Sequence, residues 1–258
     1  MATPPMVRVV EREWVAWRRL WRGSVFQTIV TPLLFLAAMG LGLGDLVNKN
    51  SGGVGGLTYL QFVTPGLMAA SAMMQAAAES LWPVLGGVKW QRTYHAAVAT
   101  PVSAGQLFGG HVLWTSLRSA FSSTVFLVVA AMLGGVPSWW GVLAIPAAVL
   151  GAAVFAAALN AYAVTQESDI PFAVIMRVGL FPLFLFSGTF FPTSRLPGWL
   201  QPVSYLSPLW HAVELCRAAT TGSQPSAGTI LGHVTFLVAC LVAGSWWGVR
   251  RFTRALTA

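Results

Sequence analysis

The sequence predicts an all-α, polytopic membrane protein that forms one domain over residues 1–258, with six transmembrane helices. Of its residues, 56% are hydrophobic and only 9% are charged, whereas globular domains carry about 25% charged residues. The 15 basic and 7 acidic residues leave long uncharged intervals between them, the longest covering the 48 residues of 119–166. Because roughly 20 apolar residues cross the core of a bilayer, this composition and spacing are typical of membrane spans and exclude a water-soluble domain.

The first predicted element is an amphipathic interface helix over residues 6–22. Its apolar residues recur three and four positions apart, as one face of a helix requires, and most of its arginines fall on the opposite face. A basic helix with tryptophans on its apolar side is typical of the membrane interface. The residues expected to hold it there are Trp14, Trp17, Arg18 and Trp21. The alternative is an ordinary positive patch beside the first span.

Six apolar segments are long enough to be spans. They lie at about 25–44, 58–79, 109–133, 141–164, 172–191 and 228–248. A long connection, 80–108, follows the second span, and a short acidic one, 165–171, follows the fourth. The outer segment 193–226 contains Pro197, Pro202 and Pro208, each of which removes a backbone donor. We therefore expect short re-entrant outer helices between spans five and six.

The basic residues predict the orientation of these spans. With both termini inside, ten basic residues lie on the inner side and three on the outer side, Lys49, Arg195 and Arg217. The positive-inside rule then places both termini in the cytoplasm of a multi-pass protein of the cell (inner or plasma) membrane. The same flanking positions explain the basic charge better than nucleic-acid binding does, so we expect no nucleic acid as a partner.

Several kinds of chemistry are missing from the sequence. Neither Lys49 nor Lys89 follows the glycine that a phosphate-binding P-loop requires, and no histidine pair has the His-Glu-x-x-His spacing of a zinc site. We therefore predict no catalytic residues, no metal site and no cofactor on this chain. If ATP is used, another polypeptide binds it.

Two polar features stand out within the apolar background. Arg118 lies within span three, and intramembrane charges are costly unless they are paired, snorkel to an interface or serve function; pairing or snorkelling and a substrate contact both stay open. His211 and Glu214 are three residues apart, and we expect them to hydrogen-bond at the outer interface.

Three stretches resemble a known family. They are Tyr59-Leu60-Gln61-Phe62-Val63-Thr64-Pro65-Gly66, the inner segment from Arg92-Thr93 to Val102-Ser103, and the outer series Ser187-Gly188-Thr189-Phe190-Phe191-Pro192, Leu196-Pro197-Gly198-Trp199-Leu200, Pro202, Tyr205-Leu206, Pro208-Leu209 and His211. With the order of the predicted elements, they make the chain similar to the membrane (permease) subunit of ABC-2 type transporters, in particular nodulation-factor export and daunorubicin-resistance permeases.

The resemblance implies a mechanism and its residues. Two permease subunits, identical or different, would pair above two copies of a separate ABC-type ATPase subunit that binds ATP and Mg. ATPase coupling would fall on Trp90, Gln91, Arg92, Thr93, Tyr94, Glu167 and Asp169; plain solvated loops are the alternative. Gly40 and Gly44 would lie in the dimer seam, and 193–226 would form a lid over the exit. A substrate path is expected along Phe181, Phe184, Phe186, Phe190 and Arg118, although the phenylalanines could equally face lipid or pack.

The predicted function is therefore the membrane subunit of an exporter for a hydrophobic or amphiphilic substrate, such as a drug, lipid or glycolipid. Within this class, polysaccharide efflux is a further candidate. The alternatives from other classes are a secondary transporter or channel independent of ATP, and a membrane-embedded enzyme acting on lipids.

Overall fold

The computed structural model describes residues 4–223 and 225–257, without the side chains at positions 20, 21, 24, 25, 27, 29, 31, 32, 41 and 51. Every regular element in these residues is helical. The backbone of Trp21 lies in the first helix. Its side chain, which was predicted to hold that helix at the interface, is not among those described.

The first helix is longer than the sequence suggests. Helix α1 covers Pro5–Ala37, continues through a π-helical stretch, Ala38–Leu43, and runs on into α2, Gly44–Ser51. The predicted helix at 6–22 is therefore present but continues into the first span, because no proline or turn interrupts the chain between them. Its location at the membrane interface stays a prediction. Helix α2 thus occupies the first half of the connection between the first two predicted spans, and a tight turn rich in glycine separates it from the next helix.

Helix α3, Tyr59–Leu85, is the centre of the fold. It begins with a capping box in which Thr58 and Gln61 satisfy each other's backbone N–H groups, as this side-chain pair does at many helix starts. Two prolines, Pro65 and Pro83, lie inside it, and most of its length is buried.

The inner connection after α3 is largely helical. A π-helical stretch, Gly86–Trp90, extends α3, and the short helix α4 covers Thr93–Val98. Helix α5, Ala104–Met132, starts at a second capping box made by Ser103 and Gln106. The connection predicted at 80–108 is therefore shorter than expected, because α3 ends later and α5 begins earlier.

The fourth and fifth apolar segments differ in length. A 3-10 turn, Trp139–Leu143, leads into α6, Ala144–Ala163. Helices α7, Ile170–Val174, and α8, Phe181–Phe186, join through a π-helical stretch, Ile175–Leu180. This helix ends before the predicted boundary at 191, because Gly188 takes a positive φ of 79° that breaks the helical path.

The predicted lid folds as short helices followed by one long helix. A 3-10 turn covers Thr193–Arg195, α9 covers Gln201–Tyr205 and α10 covers Pro208–Thr221. Helix α10 packs against α3, α6 and α11 rather than lying on the surface. Helix α11, Ala227–Thr257, carries Arg250, Arg251 and Arg254 near its C-terminal end. The helix dipole stabilises positive charge at that end.

Three of the described helices are long and apolar enough to cross a membrane: Ala104–Met132, Trp139–Ala163 and Ala227–Thr257. The α7–α8 helix is shorter, and α3 lies mostly inside the bundle, against α5, α6 and α10. The all-helical fold is confirmed for the described residues, and the count of six spans stays a prediction.

Candidate functional site

The two predicted inner coupling loops meet on one surface. Lys89, at the end of the α3 extension, donates to Glu167 in the loop after α6, with 2.6 Å between Nζ and Oε1. The two residues are 78 positions apart, so nothing in their local sequence pairs them. The ion pair joins both loops at the same end of the bundle.

Exposed residues surround this ion pair. The Trp90 indole is 60% exposed, and Gln91, Arg92 and Asp169 are exposed beside it. Arg92 takes a φ of 53°, and no other described residue except glycine has a positive φ. An unbranched residue in the left-handed region costs roughly 1–2 kcal/mol, and such strain tends to occur at functional sites.

Tyr94 behaves differently from its neighbours. Its side chain is 2% exposed and packs against His111 and Phe252, and burial raises the pKa of its phenol above the ordinary value. Tyr94 thus anchors α4 on the bundle while also lining the adjacent cleft, and its contact with an ATPase stays a prediction. Thr93 is half-buried next to it.

A cleft opens beside the coupling surface. It has a volume of about 630 Å³ and lies between the N-terminal part of α1, the end of α3 and α4. Its walls include Arg12, Glu13, Trp82, Trp90 and Gln91. The cleft presents a positively charged side chain (Arg12), a negatively charged one (Glu13) and the exposed indole of Trp90. A protein partner can recognise such a mixture.

Packing on α5 involves the tryptophans predicted to lie in the interface. The Trp14 ring meets Trp114 at 6.4 Å and the Trp17 ring meets Phe121 at 6.3 Å. Trp14 stays 48% exposed, and Arg18 is exposed. These tryptophans therefore join two helices of the bundle as well as facing its surroundings.

Arg118 is paired within the bundle. Its Nε atom lies 3.1 Å from Glu79 Oε1, and its guanidinium lies 5.3 Å from the centre of the Trp17 ring. Glu79 also accepts a hydrogen bond of 3.1 Å from Gln75, whose own oxygen accepts from Ser122. Pairing, one of the two alternatives for Arg118, is thus present, and it is part of a polar network between α3 and α5.

A second cavity, of about 590 Å³, lies against this network. Its described lining comes from α1, α3, α5 and α8. Its polar lining consists of the network residues with Thr28, Ser71 and Ser123, and its large apolar lining residues are Phe35, Leu67, Met68, Met74, Phe126, Phe181 and Phe184. Arg118 and two of the four predicted substrate-path phenylalanines therefore meet here.

The other two phenylalanines lie beyond the cavity. Phe190 packs on Phe184 with their ring centres 5.1 Å apart, and the Phe186 carbonyl accepts a hydrogen bond of 2.8 Å from Ser204. They therefore connect α8 to the outer segment.

The predicted seam glycines face their own chain. A Cβ on Gly40 would lie 2.7 Å from the Leu60 side chain, and one on Gly44 would approach the backbone of Met39 and the side chain of Tyr59. The close approach that they allow is thus used between α3 and the helix before it. Their role in a dimer seam stays a prediction.

Arg217 organises the outer segment, a role that the sequence did not reveal. It donates to Gly188 O at 2.6 Å, forms an ion pair with Glu214 and lies over the Phe62 ring at 4.5 Å. The expected bond between His211 and Glu214 is wrong. His211 instead pairs with His233, with 2.8 Å between their Nδ1 atoms, because Arg217 on the same helix takes the carboxylate.

The comparisons with known proteins decide the family. A family model for the ABC-2 type transporter matches residues 6–221. The chain belongs to the ABC-2 type transporter family. It is 31% identical to Nodulation protein J of Sinorhizobium fredii, over 92% of this chain and 87% of that protein. It is 33% identical to Nodulation protein J of Bradyrhizobium diazoefficiens, over 81% and 78%, and 28% identical to the inner membrane transport permease YadH of Escherichia coli, over 88% and 91%.

The resemblance predicted from the sequence is therefore confirmed. ABC-2 family membership identifies the chain as a transporter permease subunit of the inner membrane, a class that works with an ABC ATPase and is generally not enzymatic. Two of the stretches that resemble the family also contact each other: Thr64-Pro65-Gly66 packs against Ser187-Gly188-Thr189. A Cβ on Gly66 would lie 2.6 Å from the Thr189 Cα.

Proposed function

We propose that this ABC-2 permease subunit exports a hydrophobic or amphiphilic substrate from the cytoplasm or inner leaflet. Two permease subunits would pair, as two copies or with a sister subunit, above two copies of a separate ATPase. ATP and Mg would bind to that ATPase, and both termini of the permease would be cytoplasmic. Polysaccharide efflux by the same arrangement is the second candidate within the family.

The Lys89–Glu167 ion pair carries this proposal. It joins the two inner loops into one surface, so a partner that pushes on either loop moves α3 and α6 together. Trp90, Gln91 and Arg92 stand exposed on that surface, and the cleft beside it offers an adjacent recess. Arg92 supplies a cation that an acidic patch on the ATPase would meet.

A charge reversal at Arg92 tests the docking surface. We expect Arg92→Glu to lower the amount of ATPase that co-purifies with the tagged permease about tenfold, because like charges at a contact repel and a docking cation is lost. The substitution keeps a residue with a Cβ at the strained position, so the backbone strain is unchanged. The ATPase recovered per permease is measured after mild solubilisation of native membranes.

Arg195→Glu is the matched control. Arg195 is an exposed arginine in the predicted outer segment, so its reversal changes the net charge equally without altering the inner surface. Normal membrane insertion of both variants, with ATPase lost only from Arg92→Glu, supports the proposal. Equal recovery of ATPase with Arg92→Glu and the wild-type chain would overturn the docking assignment.

Transport separates this proposal from the alternative class. An ATP-driven exporter moves its substrate only when the ATPase and hydrolysable ATP are present. Transport by the purified chain alone in liposomes, driven by an ion gradient, would instead establish a secondary carrier or channel.

A further inference from the structure

Two histidines join helices α10 and α11. His211 on α10 and His233 on α11 lie with their Nδ1 atoms 2.8 Å apart. Both side chains are half-buried, so solvent protons reach them although each ring is packed against the protein. We call His211 and His233 the histidine latch.

The backbone determines which nitrogens of the latch carry hydrogen. His211 Nε2 lies 3.0 Å from the carbonyl oxygen of Tyr205. Because that oxygen can only accept, Nε2 carries the hydrogen and Nδ1 of neutral His211 is an acceptor. His233 therefore donates from its own Nδ1 to His211 Nδ1 while both rings are neutral.

The number of protons on the latch decides whether this hydrogen bond exists. One extra proton leaves it intact, because a charged imidazole on either side still donates to the neutral Nδ1 of the other. Two extra protons place a hydrogen on both Nδ1 atoms and a positive charge on both rings. Two donors with like charge then face each other, and the contact between α10 and α11 becomes repulsive.

The second proton binds only in acid. Burial lowers the pKa of His211 below the ordinary value of a histidine, and the charge of His233 lowers it further. The hydrogen bond is therefore retained at a pH above this lowered pKa and is lost as the pH falls through it.

Aromatic rings enclose the latch. Phe236 stacks on His211 with their ring centres 3.9 Å apart. Trp210 packs against both imidazoles, with ring centres 4.9 Å from His211 and 5.0 Å from His233. These rings hold the two imidazoles against each other, and they supply no carboxylate that would compensate for a second positive charge.

Few charged groups of the described residues lie near the latch. On α10, Glu214 follows His211 by one helical turn and borders a cavity of about 90 Å³ together with His233. Its carboxylate is already neutralised by Arg217. On α9, Tyr205 presents its backbone carbonyl to His211 and packs its ring on Trp210.

The other helices that pack against α10 and α11 are α3, α4, α5 and α6. Their ionisable side chains are those of Tyr59, Glu79, Tyr94, His95, His111, Arg118 and Tyr162. Helices α10 and α11 themselves also carry Cys216, Cys240, Arg250, Arg251 and Arg254. Within the described residues, no hydrogen bond or ion pair joins any of these groups to either imidazole, so the charge of the latch depends mainly on its own two rings.

We propose that the histidine latch is an acid-sensitive switch on the predicted outer side, which fastens α11 to α10 at neutral pH and releases it when both imidazoles are protonated. Arg217 ties α10 to Gly188 in the turn after α8, so α10 stays with that turn while α11 separates. Acid would thereby open the outer segment 193–226 on the side of α11. This inference goes beyond the proposed export function, since the pH response requires neither ATPase nor substrate.

The test measures the separation of the two helices in the full-length chain. Cysteines for spin labels replace Leu206, just before α10, and Leu231 on α11, whose side chains are 72% and 65% exposed. Cys216 and Cys240 are replaced by alanine, and the chain is placed in phosphatidylcholine nanodiscs. Double electron–electron resonance gives the distance between the labels at about pH 7.5 and about pH 5, on either side of the roughly 6.5 that is the pKa of an unperturbed histidine.

Four variants isolate the latch. His211→Asn and His233→Asn each keep one imidazole beside an amide, which both donates and accepts, so the contact survives protonation of the remaining histidine. His233→Ala removes the contact at every pH. His95→Gln is the control, because His95 is an exposed histidine on α4.

The labelled chain without these variants should show a distance that lengthens reversibly by several ångströms on acidification, and so should His95→Gln. Both asparagine variants should keep the short distance at both pH values, and His233→Ala should show the long one at both. An unchanged distance in the parent chain, an equal acid response in either asparagine variant, or a short distance in His233→Ala would overturn the switch. Recovery of the ATPase at neutral pH tests the proposed function separately, and neither result there alters these distances.

Discussion

At the scale of single residues, Gly66 determines how closely the outer segment approaches the bundle. Its missing Cβ leaves room for the backbone of Thr189, whose Cα and O atoms would lie 2.6 Å and 2.8 Å from an added Cβ. A backbone contact cannot rotate away as a flexible side chain does. The turn at Ser187–Thr189 therefore depends on glycine at position 66.

Gly66→Ala should destabilise the permease. Overpacking against a well-fitted neighbour typically costs about 1–3 kcal/mol, so we expect a lower thermal unfolding midpoint, followed by tryptophan fluorescence in one fixed detergent. Gly232→Ala is the control, since an added Cβ there meets no atom within 4 Å. In a helix interior it should keep or raise stability. A Gly66→Ala chain as stable as the wild type would contradict the tight contact.

Residue identity alone did not reveal the partners of the buried charges. Arg217 was placed in the outer segment, but its bonds to Gly188 and Glu214 depend on how α10 enters the bundle. Arg118 had pairing as one of its open alternatives, but its partner Glu79 lies on a different helix, α3. Long-range pairings of this kind follow from topology, which a single sequence does not provide.

At the scale of elements, hydropathy located the helices better than their ends. The predicted fourth span, 141–164, nearly coincides with the 3-10 turn and α6. The start of α5 was missed, although Ser103 and Gln106 form a capping box that the sequence contains. The fusion of the first two predicted elements was also missed, because hydropathy and charge change at a membrane surface even where the helix does not stop.

The ion pair of Lys89 and Glu167 joins the two inner loops. The carboxylate is 83% exposed, and such exposed pairs contribute roughly 0–1 kcal/mol to stability. Its role in our proposal is to link movements of the two loops. Loss of the pair should therefore affect coupling far more than folding.

Charge exchange tests that link. Lys89→Glu and Glu167→Lys should each reduce ATP-driven transport by the reconstituted complex several-fold, and the double exchange should recover a large part of it, because the ion pair is restored with reversed polarity. Unfolding midpoints should stay near that of the wild type. The control is Lys49→Glu, which reverses the other lysine, also paired with a carboxylate, on the predicted outer side. Transport that stays low in the double exchange would argue against a linking role.

At the scale of the whole molecule, the arrangement of charge agrees with the bundle. Helix α11 ends in a basic segment, and α4, which follows the exposed Trp90 and Lys89, contacts α11 as well as α5. The C-terminal arginines, Lys89 and Glu167 thus lie at one end of the molecule. Arg217 lies in the outer segment, with Gly188 and Phe62. The positive-inside rule predicts that the end with the C-terminal arginines faces the cytoplasm.

Cysteine labelling of intact cells tests this orientation. Ser168 lies exposed in the loop after α6, and Ser194 lies exposed in the segment after α8, so the two sites should be on opposite sides of the membrane. In a background with Cys216 and Cys240 replaced by alanine, Ser194→Cys should react with a membrane-impermeant maleimide in cells whose inner membrane is sealed. Ser168→Cys should react only after that membrane is permeabilised, because the positive-inside rule, applied to the basic residues of the other inner segments, places this end of the bundle in the cytoplasm. The reverse pattern would invert the topology and remove the inner loops from contact with any cytoplasmic ATPase. Labelling of both sites in sealed cells would contradict the predicted placement of the fifth span between them.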